Sequence, residues 1–370
     1  MEGMLSPVHL LLVSLLAELS TPYQRENFQS LLAARLADES KALYRNQWKS
    51  AAALSRFLSG RGWLLGPLIV MVRAYLLSQL LQPRGRGRRP DLHVMVDLTS
   101  LEKTGKFKRF RHWLHYFHGC FGLHIVVLYL CCGQHRVPWS LTIYRGKGTT
   151  SPAQLALNLI SQLPPVLHRH YFVQVLADGG FASREFLVGL RSLGLPAIVG
   201  CSCSRTLKDG RQLRHLHRRG QQLRLANLPF DVWCSWFWQK QPDGRYRKRF
   251  VLSTRPLSVA SMNRLGAQRW RIEAFFKTMK QRFAMDRFAL RRLKAVLRWL
   301  FFCWLAYLLS HWVALAQGIS SLPDWRLVAL AAAELFFFAL LVEAHYRELE
   351  RLLAARAHLP DFDLSFRCLL

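Results

Sequence analysis

Apolar residues recur along this chain with two periods, and the switch between them divides it. From residue 1 to 82 the spacing is helical. Ser50–Gly60 and Leu64–Leu81 read as a short helix, a glycine turn and a longer helix. That pair fits either a loose helix-turn-helix or a plain helical bundle. Residues 83–90, Pro-Arg-Gly-Arg-Gly-Arg-Arg-Pro, read as a basic linker. Beyond it the period shortens. His93–Leu98, Gly122–Cys132 and Trp139–Tyr144 read as strands. Ser151–Leu163 opens with Ser-Pro and reads as a helix, Tyr171–Ala177 as a strand, Ser183–Leu193 as a helix and Pro196–Gly200 as a strand. Residues 204–257 predict a β-rich insertion, with strands at Leu223–Leu228, Asp231–Lys240 and Tyr246–Ser253 and a hairpin turn at Pro242-Asp243-Gly244. Ile272, Phe275, Met279 and Phe283 recur at helical spacing. After Leu290 the chain is helical and apolar nearly to its end, with a polar face at Glu343, Arg347, Glu350 and Arg351.

Three segments are apolar enough to raise a membrane. His9–Leu16 follows Glu2 rather than a basic stretch, which argues against a signal peptide. Val296–Gln317 carries Arg298 and His311, and Leu327–Val342 is short and carries Glu334. Buried helices of a globular protein, with no membrane partner, account for all three.

Charge narrows the partners. The 52 Lys and Arg against 22 acids give a formal charge of +30, which attracts polyanions and supplies counterion-release affinity for nucleic acid. The insertion alone has thirteen Lys and Arg against three acids. An arginine-rich composition or anionic lipid would also give this excess. The eight cysteines form no CxxC pair and no zinc-finger array, which fits free thiols in a reducing cytosol. Walker A, GxSxG and HExxH signatures are absent from the sequence.

Three acids stand out within this basic chain. Asp97 and Asp178 each end a strand-like run, and Glu273 lies on the helix near residue 270. Each has an ordinary reading alone. Asp97 could cap a turn, Asp178 precedes Gly179-Gly180 as turn aspartates do, and Glu273 could pair with Lys277 or Arg269. Together they suggest metal-dependent phosphoryl transfer on nucleic acid, since hard divalent ions prefer carboxylate oxygens. Three strands, helix, strand, helix, strand is the order of an RNase H-like fold, whose first strand lies beside its fourth. Asp97 and Asp178 would then be neighbours.

Arg269, Glu273 and Lys280 fall at the spacing of the Tyr-x2-Arg-x3-Glu-x6-Lys signature, within Arg-Trp-x-Ile-Glu-x-x-Phe. Asp97-Leu-Thr99 with Lys103, and Asp178-Gly-Gly-Phe, match the two aspartate motifs that accompany it. On these motifs residues 91–290 resemble the DDE transposases of the insertion-sequence-4-like superfamily. The tyrosine position is Gly266, a departure.

The resemblance implies an α/β fold: an RNase H-like catalytic core with a β-rich insertion, flanked by helical N- and C-terminal regions. Its parts would be a DNA-binding region (1–82), the linker (83–90), the first part of the core (91–203), the insertion (204–257), the glutamate helix (258–290) and a helical region (291–370). Asp97, Asp178 and Glu273 would be catalytic and would hold two Mg²⁺ or Mn²⁺ ions. Arg269 and Lys280 would contact phosphates. Lys103 would face DNA, as could Lys106, Lys108, Arg109 and Arg111. Trp236 or Trp238 would stack on a base flipped from a DNA hairpin, although alternating tryptophans also build sheet cores. The implied function is cleavage at the terminal inverted repeats of an insertion sequence and strand transfer into target DNA. It implies a homodimer on double-stranded DNA, cytoplasmic and nucleoid-associated in a bacterium. The rival readings are another RNase H-like nuclease or resolvase, and a catalytically inactive transposase-derived DNA-binding protein.

Overall fold

The computed structural model describes residues 2–37, 49–81, 87–104, 107, 110–240, 243–319, 323–338 and 342. Residues 83–86, Lys106, Lys108, Arg109, Pro242, Glu343, Arg347, Glu350 and Arg351 lie outside that set. The chain forms two compact units. One comprises Met1–Leu65, Gln281–Leu290 and Lys294–Leu370, the other Gly66–Lys280 and Arg291–Leu293.

The first unit is helical among its described residues. It holds α1 (Glu2–Ala17), α2 (Pro22–Ala37) and α3 (Ala51–Ser59), the last capped by Ser50 Oγ, which accepts from the Ala53 N–H. The apolar helix Leu293–Ala316, numbered α10 below, has the length and composition to cross a membrane, yet its most apolar stretch is 83% buried inside the protein. Arg298 accounts for part of that. Its buried guanidinium lies 3.6 Å from the Trp63 ring centroid and donates to the carbonyls of Leu58 and Gly60, each at 2.8 Å, and of Trp63. The charge thus closes the orphan carbonyls at the end of α3, a use that lipid would not supply. Helix 325–338 places Phe336 against His9 of α1, ring centroids 4.8 Å apart.

The second unit holds α4 (Leu65–Leu80) from Gly66 onward and one nine-stranded sheet. The helix-turn-helix reading therefore divides, because α3 belongs to the first unit while α4 anchors to the sheet unit. The Tyr171 hydroxyl donates to the Leu80 carbonyl, and the Arg73 guanidinium lies 5.6 Å from the Trp139 ring.

The strands are β1 (Asp91–Glu102), β2 (His115–Phe117), β3 (Cys120–Cys132), β4 (His135–Tyr144), β5 (Phe172–Ala177), β6 (Ala197–Cys201), β7 (Gln221–Arg224), β8 (Asp231–Lys240) and β9 (Tyr246–Ser253). Their order is β2-β3-β1-β5-β6-β9-β8-β7, with β4 also on β3. The core order is β4-β3-β1-β5-β6, with β1 beside β5 as the strand pattern predicts. β3 is buried on both faces from Gly122 on, and beyond His124 it reads as an unbroken hydrophobic run, Ile125–Cys132. Helices α5 (Pro152–Ser161) and α7 (Arg184–Ser192) start at Ser151 and Ser183, whose hydroxyls accept from Gln154 and Phe186 N–H. Between them lies the short α6 (Pro165–His170).

The insertion does not stand apart. β9 pairs antiparallel with β6, Val199 opposite Leu252, so β9, β8 and β7 prolong the same sheet. β7 starts and ends earlier than the pattern predicts. Leu225 leaves the ladder to bridge Leu207, and Pro229, which lacks an N–H, follows.

Candidate active site

Strand register builds this site. β1 and β5 run parallel with Val96 opposite Ala177, so the next residues, Asp97 and Asp178, emerge side by side. Asp178 ends its strand as the cap of a 3₁₀ turn over Gly179–Phe181, its Oδ1 accepting from the Gly179 N–H at 2.6 Å. Gly200 on β6 leaves room for this turn. A Cβ there would come within 3.1 Å of the Gly179 nitrogen and 3.5 Å of Asp178 Oδ1.

The third carboxylate arrives on a helix. α8 (Val259–Gln268) packs on β6, β8 and β9 and is followed after one residue by α9 (Trp270–Gln281). Ile272, Phe275, Phe276 and Met279 form the buried face of α9, and Phe275 stacks on Tyr129 of β3 at 4.7 Å. That docking turns Glu273 toward the strand ends. Arg269, at the α8–α9 junction, joins the acids. Its Nη1 donates to Glu273 Oε1 at 2.7 Å and lies 3.5 Å from Asp178 Oδ1. The same guanidinium lies 4.8 Å from the Trp270 ring.

Asp97 shows the electrostatic consequence. Burial is the main cause raising its carboxyl to about 7, against the Leu98 N–H bond, which lowers it. Asp178 and Glu273 add to the rise and Arg269 opposes it. A carboxylate this reluctant to ionise, beside two others sharing one guanidinium, marks a place short of positive charge.

Asp178, Arg269 and Glu273 line a pocket of about 260 Å³ together with Phe237, Trp270 and Arg249. The sequence reading passed over Phe237. The signal was parity: on β8, Phe237 points opposite to Trp236 and Trp238, and only the strand's register shows which face meets the carboxylates. Trp236 is 4% exposed and sits in the sheet core, its ring 5.6 Å from Phe250. Trp238 is 52% exposed, with Lys248 Nζ 5.5 Å from its ring. Lys103, just past the end of β1, is buried at 7% exposure, while Arg111 is exposed. Lys280 is half-buried in the last turn of α9.

Gly266 also lines the pocket, and its surroundings explain the missing tyrosine. It is buried against β9, where a Cβ would lie 2.8 Å from Val251 Cγ2. A side chain there would require Val251 to give way.

Residues 88–309 match the family model for the transposase DDE domain, more than half of the chain. The chain belongs to that family. The fold of this transposase-family chain is similar to that of a piggyBac transposase, solved by cryo-electron microscopy as a synaptic complex with hairpin DNA. The TM-score is 0.51 at 10% identity, covering 93% of this chain and 74% of the other. At that identity the likeness bears on fold alone, and it agrees with the RNase H-like strand order. No curated protein matches the chain.

A divalent ion suits the donor chemistry of three carboxylates beside each other. The spacing is looser. Among the described residues no group of three or more His, Cys, Asp or Glu is gathered closely enough to hold a metal, and Arg269 lies between Asp178 and Glu273.

Proposed function

We propose that this chain is the transposase of a bacterial insertion sequence, cutting DNA at the element's terminal inverted repeats and joining the freed ends to target DNA. The single observation that carries the reading is the convergence of Asp97, Asp178 and Glu273 from two parallel strands and one helix, with Asp97 raised to about 7.

In the proposed reaction water adds to the scissile phosphorus and the 3′ oxygen leaves. The freed 3′-hydroxyl then attacks the opposite strand or the target. Asp97, Asp178 and Glu273 are the residues that would hold Mg²⁺ or Mn²⁺ on closer approach to one another, and the ion would supply Lewis-acid charge and a water of lowered pKa. Asp97, on rigid central strand β1, fixes one wall of the site. Asp178 is aimed by its own turn. Arg269 keeps Glu273 beside Asp178. Phe237 and Trp270 give the adjoining pocket aromatic walls, which suit an unstacked base better than the buried Trp236 does. Each DNA end needs one active site, so the acting form would be a dimer on double-stranded DNA at the nucleoid.

The test uses a labelled duplex carrying the element's end and flank, with Mg²⁺, Mn²⁺ or EDTA. Metal-dependent nicking at the end, lost in Asp97→Asn, Asp178→Asn and Glu273→Gln while binding persists, is the expected result. Binding without cleavage by the folded wild-type protein would instead point to an inactive DNA-binding descendant.

A further inference from the structure

A second cleft lies at the other end of the same strands. It holds about 430 Å³ and is lined by Arg88, Arg89, Arg255 and Arg264, with Asp91 and Gln174. Four arginines face one aspartate. No carboxylate lies within 4.0 Å of any of the four among the described residues, so Asp91 offsets their charge only in part and from a distance.

Two of the arginines are held in place. Arg255 Nη2 donates to Gln174 Oε1 at 3.3 Å, and its guanidinium lies 4.7 Å from the Phe172 ring. Arg89 Nη1 donates to the His168 carbonyl at 3.2 Å. Arg88 and Arg264 are exposed. Gln174 is fully buried, and among the described residues neither its Nε2 nor the buried Nε of Arg255 has a hydrogen-bond partner. Orphaned donors of this kind in a polar cleft want an acceptor. Ser261 of the first turn of α8 also lines the cleft, adding the positive end of a helix of ten residues.

The position gives the cleft its meaning. Asp91 begins β1 six residues before Asp97, roughly 20 Å away at about 3.3 Å per residue. Helix α8 bridges the interval: Ser261 and Arg264 line the cleft, Gly266 the carboxylate pocket. Ala260 and Ala267 are exposed on α8, so a backbone can pass closely.

We propose that this arginine cleft binds the phosphodiester backbone of the DNA being cut, about six nucleotides from the scissile phosphate at about 3.4 Å per nucleotide. The inference rests on the DNA-cutting reading above. An extended polyanion suits an open cleft that continues along a helix, whereas a free phosphate would use only its floor.

The experiment compares the full chain with an Arg88→Ala/Arg264→Ala variant, both in a Glu273→Gln background that blocks cutting. Anisotropy of a labelled terminal duplex is followed from 50 to 300 mM KCl. The expected result is a slope of log K against log salt shallower by about 2 in the variant, since each phosphate contact contributes about 0.9. Lysines at both positions should restore it. Ethylation of the phosphate about six nucleotides from the cut should interfere with binding of the unmutated cleft and no longer do so in the variant. Equal slopes would overturn the proposal while leaving the DNA-cutting reading intact. Inorganic pyrophosphate binding that is lost in the variant, with equal DNA slopes, would make the cleft a small-anion site and overturn it too. Failure of the unmutated cleft's protein to bind DNA would bring down the DNA-cutting reading itself.

Discussion

Replacing Asp97 by Asn should stabilise the protein, and more so at high pH. The carboxyl is raised from 3.8 to about 7 because burial and the charges of Asp178 and Glu273 disfavour its ionised form. Here the folded-state value exceeds the unfolded one. The folded state holds the proton more tightly, so stability falls as pH rises past 3.8 and the full penalty is present above about 7. The rise from 3.8 to about 7 corresponds to about 4 kcal/mol at pH 8.5, and linkage leaves roughly 1.5 kcal/mol of it at pH 5. Asp97 is half-buried, so these are upper bounds. Asn is neutral at both pH values and keeps the Oδ1 that accepts the Leu98 N–H at 2.7 Å. Urea unfolding of both proteins at pH 5 and 8.5 isolates the effect of position 97, because it is the one residue that differs between them. The expected outcome is a gain from Asn that is larger at pH 8.5 by up to about 2–3 kcal/mol. Added Mg²⁺ should narrow the difference by stabilising the wild type alone. An equal gain at both pH values, or a loss at both, would show that Asp97 is not held protonated and would remove the electrostatic argument for the site.

Gly266→Tyr should destabilise by about 1–3 kcal/mol through overpacking against Val251, and Val251→Ala in the same chain should recover part of it, both read from urea midpoints. Arg298→Met should cost about 2–4 kcal/mol, because the carbonyls of Leu58, Gly60 and Trp63 lose their donor in a buried place; thermal unfolding of the helical unit reports it. Trp236→Ala should cost about 3–5 kcal/mol of stability as a core truncation. Trp238→Ala should leave stability within about 0.5 kcal/mol, since its ring is half in solvent. Any loss of affinity for hairpin DNA from Trp238→Ala would therefore report contact with DNA rather than unfolding.

Much of the sheet was legible because its strands follow rules that act locally. β3 is a continuous apolar run from Ile125 to Cys132, and Ser151 and Ser183 announce the helices they cap. The adjacency of Asp97 and Asp178 followed from strand order, and parallel pairing delivers it. What local pattern does not carry is parity and burial across the insertion. Trp236, Phe237 and Trp238 differ in sequence only by a step, yet one lies in the core, one lines the carboxylate pocket and one is exposed. Their sorting depends on β9 joining β6, a pairing between residues about fifty positions apart. Lys103 reads as a surface cation after the first aspartate, but β1 runs on to Glu102, the Lys103 N–H donates to the Phe121 carbonyl of β3, and its side chain is buried. Arg269 reads as a phosphate ligand from its motif. The structure places it on Glu273 and Asp178, a pairing that the i, i+4 spacing to Glu273 allows and that only the fold extends to Asp178.

The departure at Gly266 ties these observations together. Without a Cβ, α8 comes down on Val251 of β9, and β9 is fixed to β6 beside the Asp178 turn. Only Arg269 separates α8 from α9, so the depth of α8 sets where that guanidinium lies. A larger residue at 266 would lift the helix end and carry Arg269 away from Asp178, whose Oδ1 is already 3.5 Å distant. The contact to Glu273, one turn on along the same stretch, would survive. Gly266→Ala should accordingly loosen Asp178 before Glu273. With Arg269 farther away, the lowering influence on Asp97 weakens and its carboxyl should rise further. Carbon-13 NMR titration of the Asp97 side chain measures that directly, and an unchanged midpoint in Gly266→Ala would show that α8 does not position the arginine.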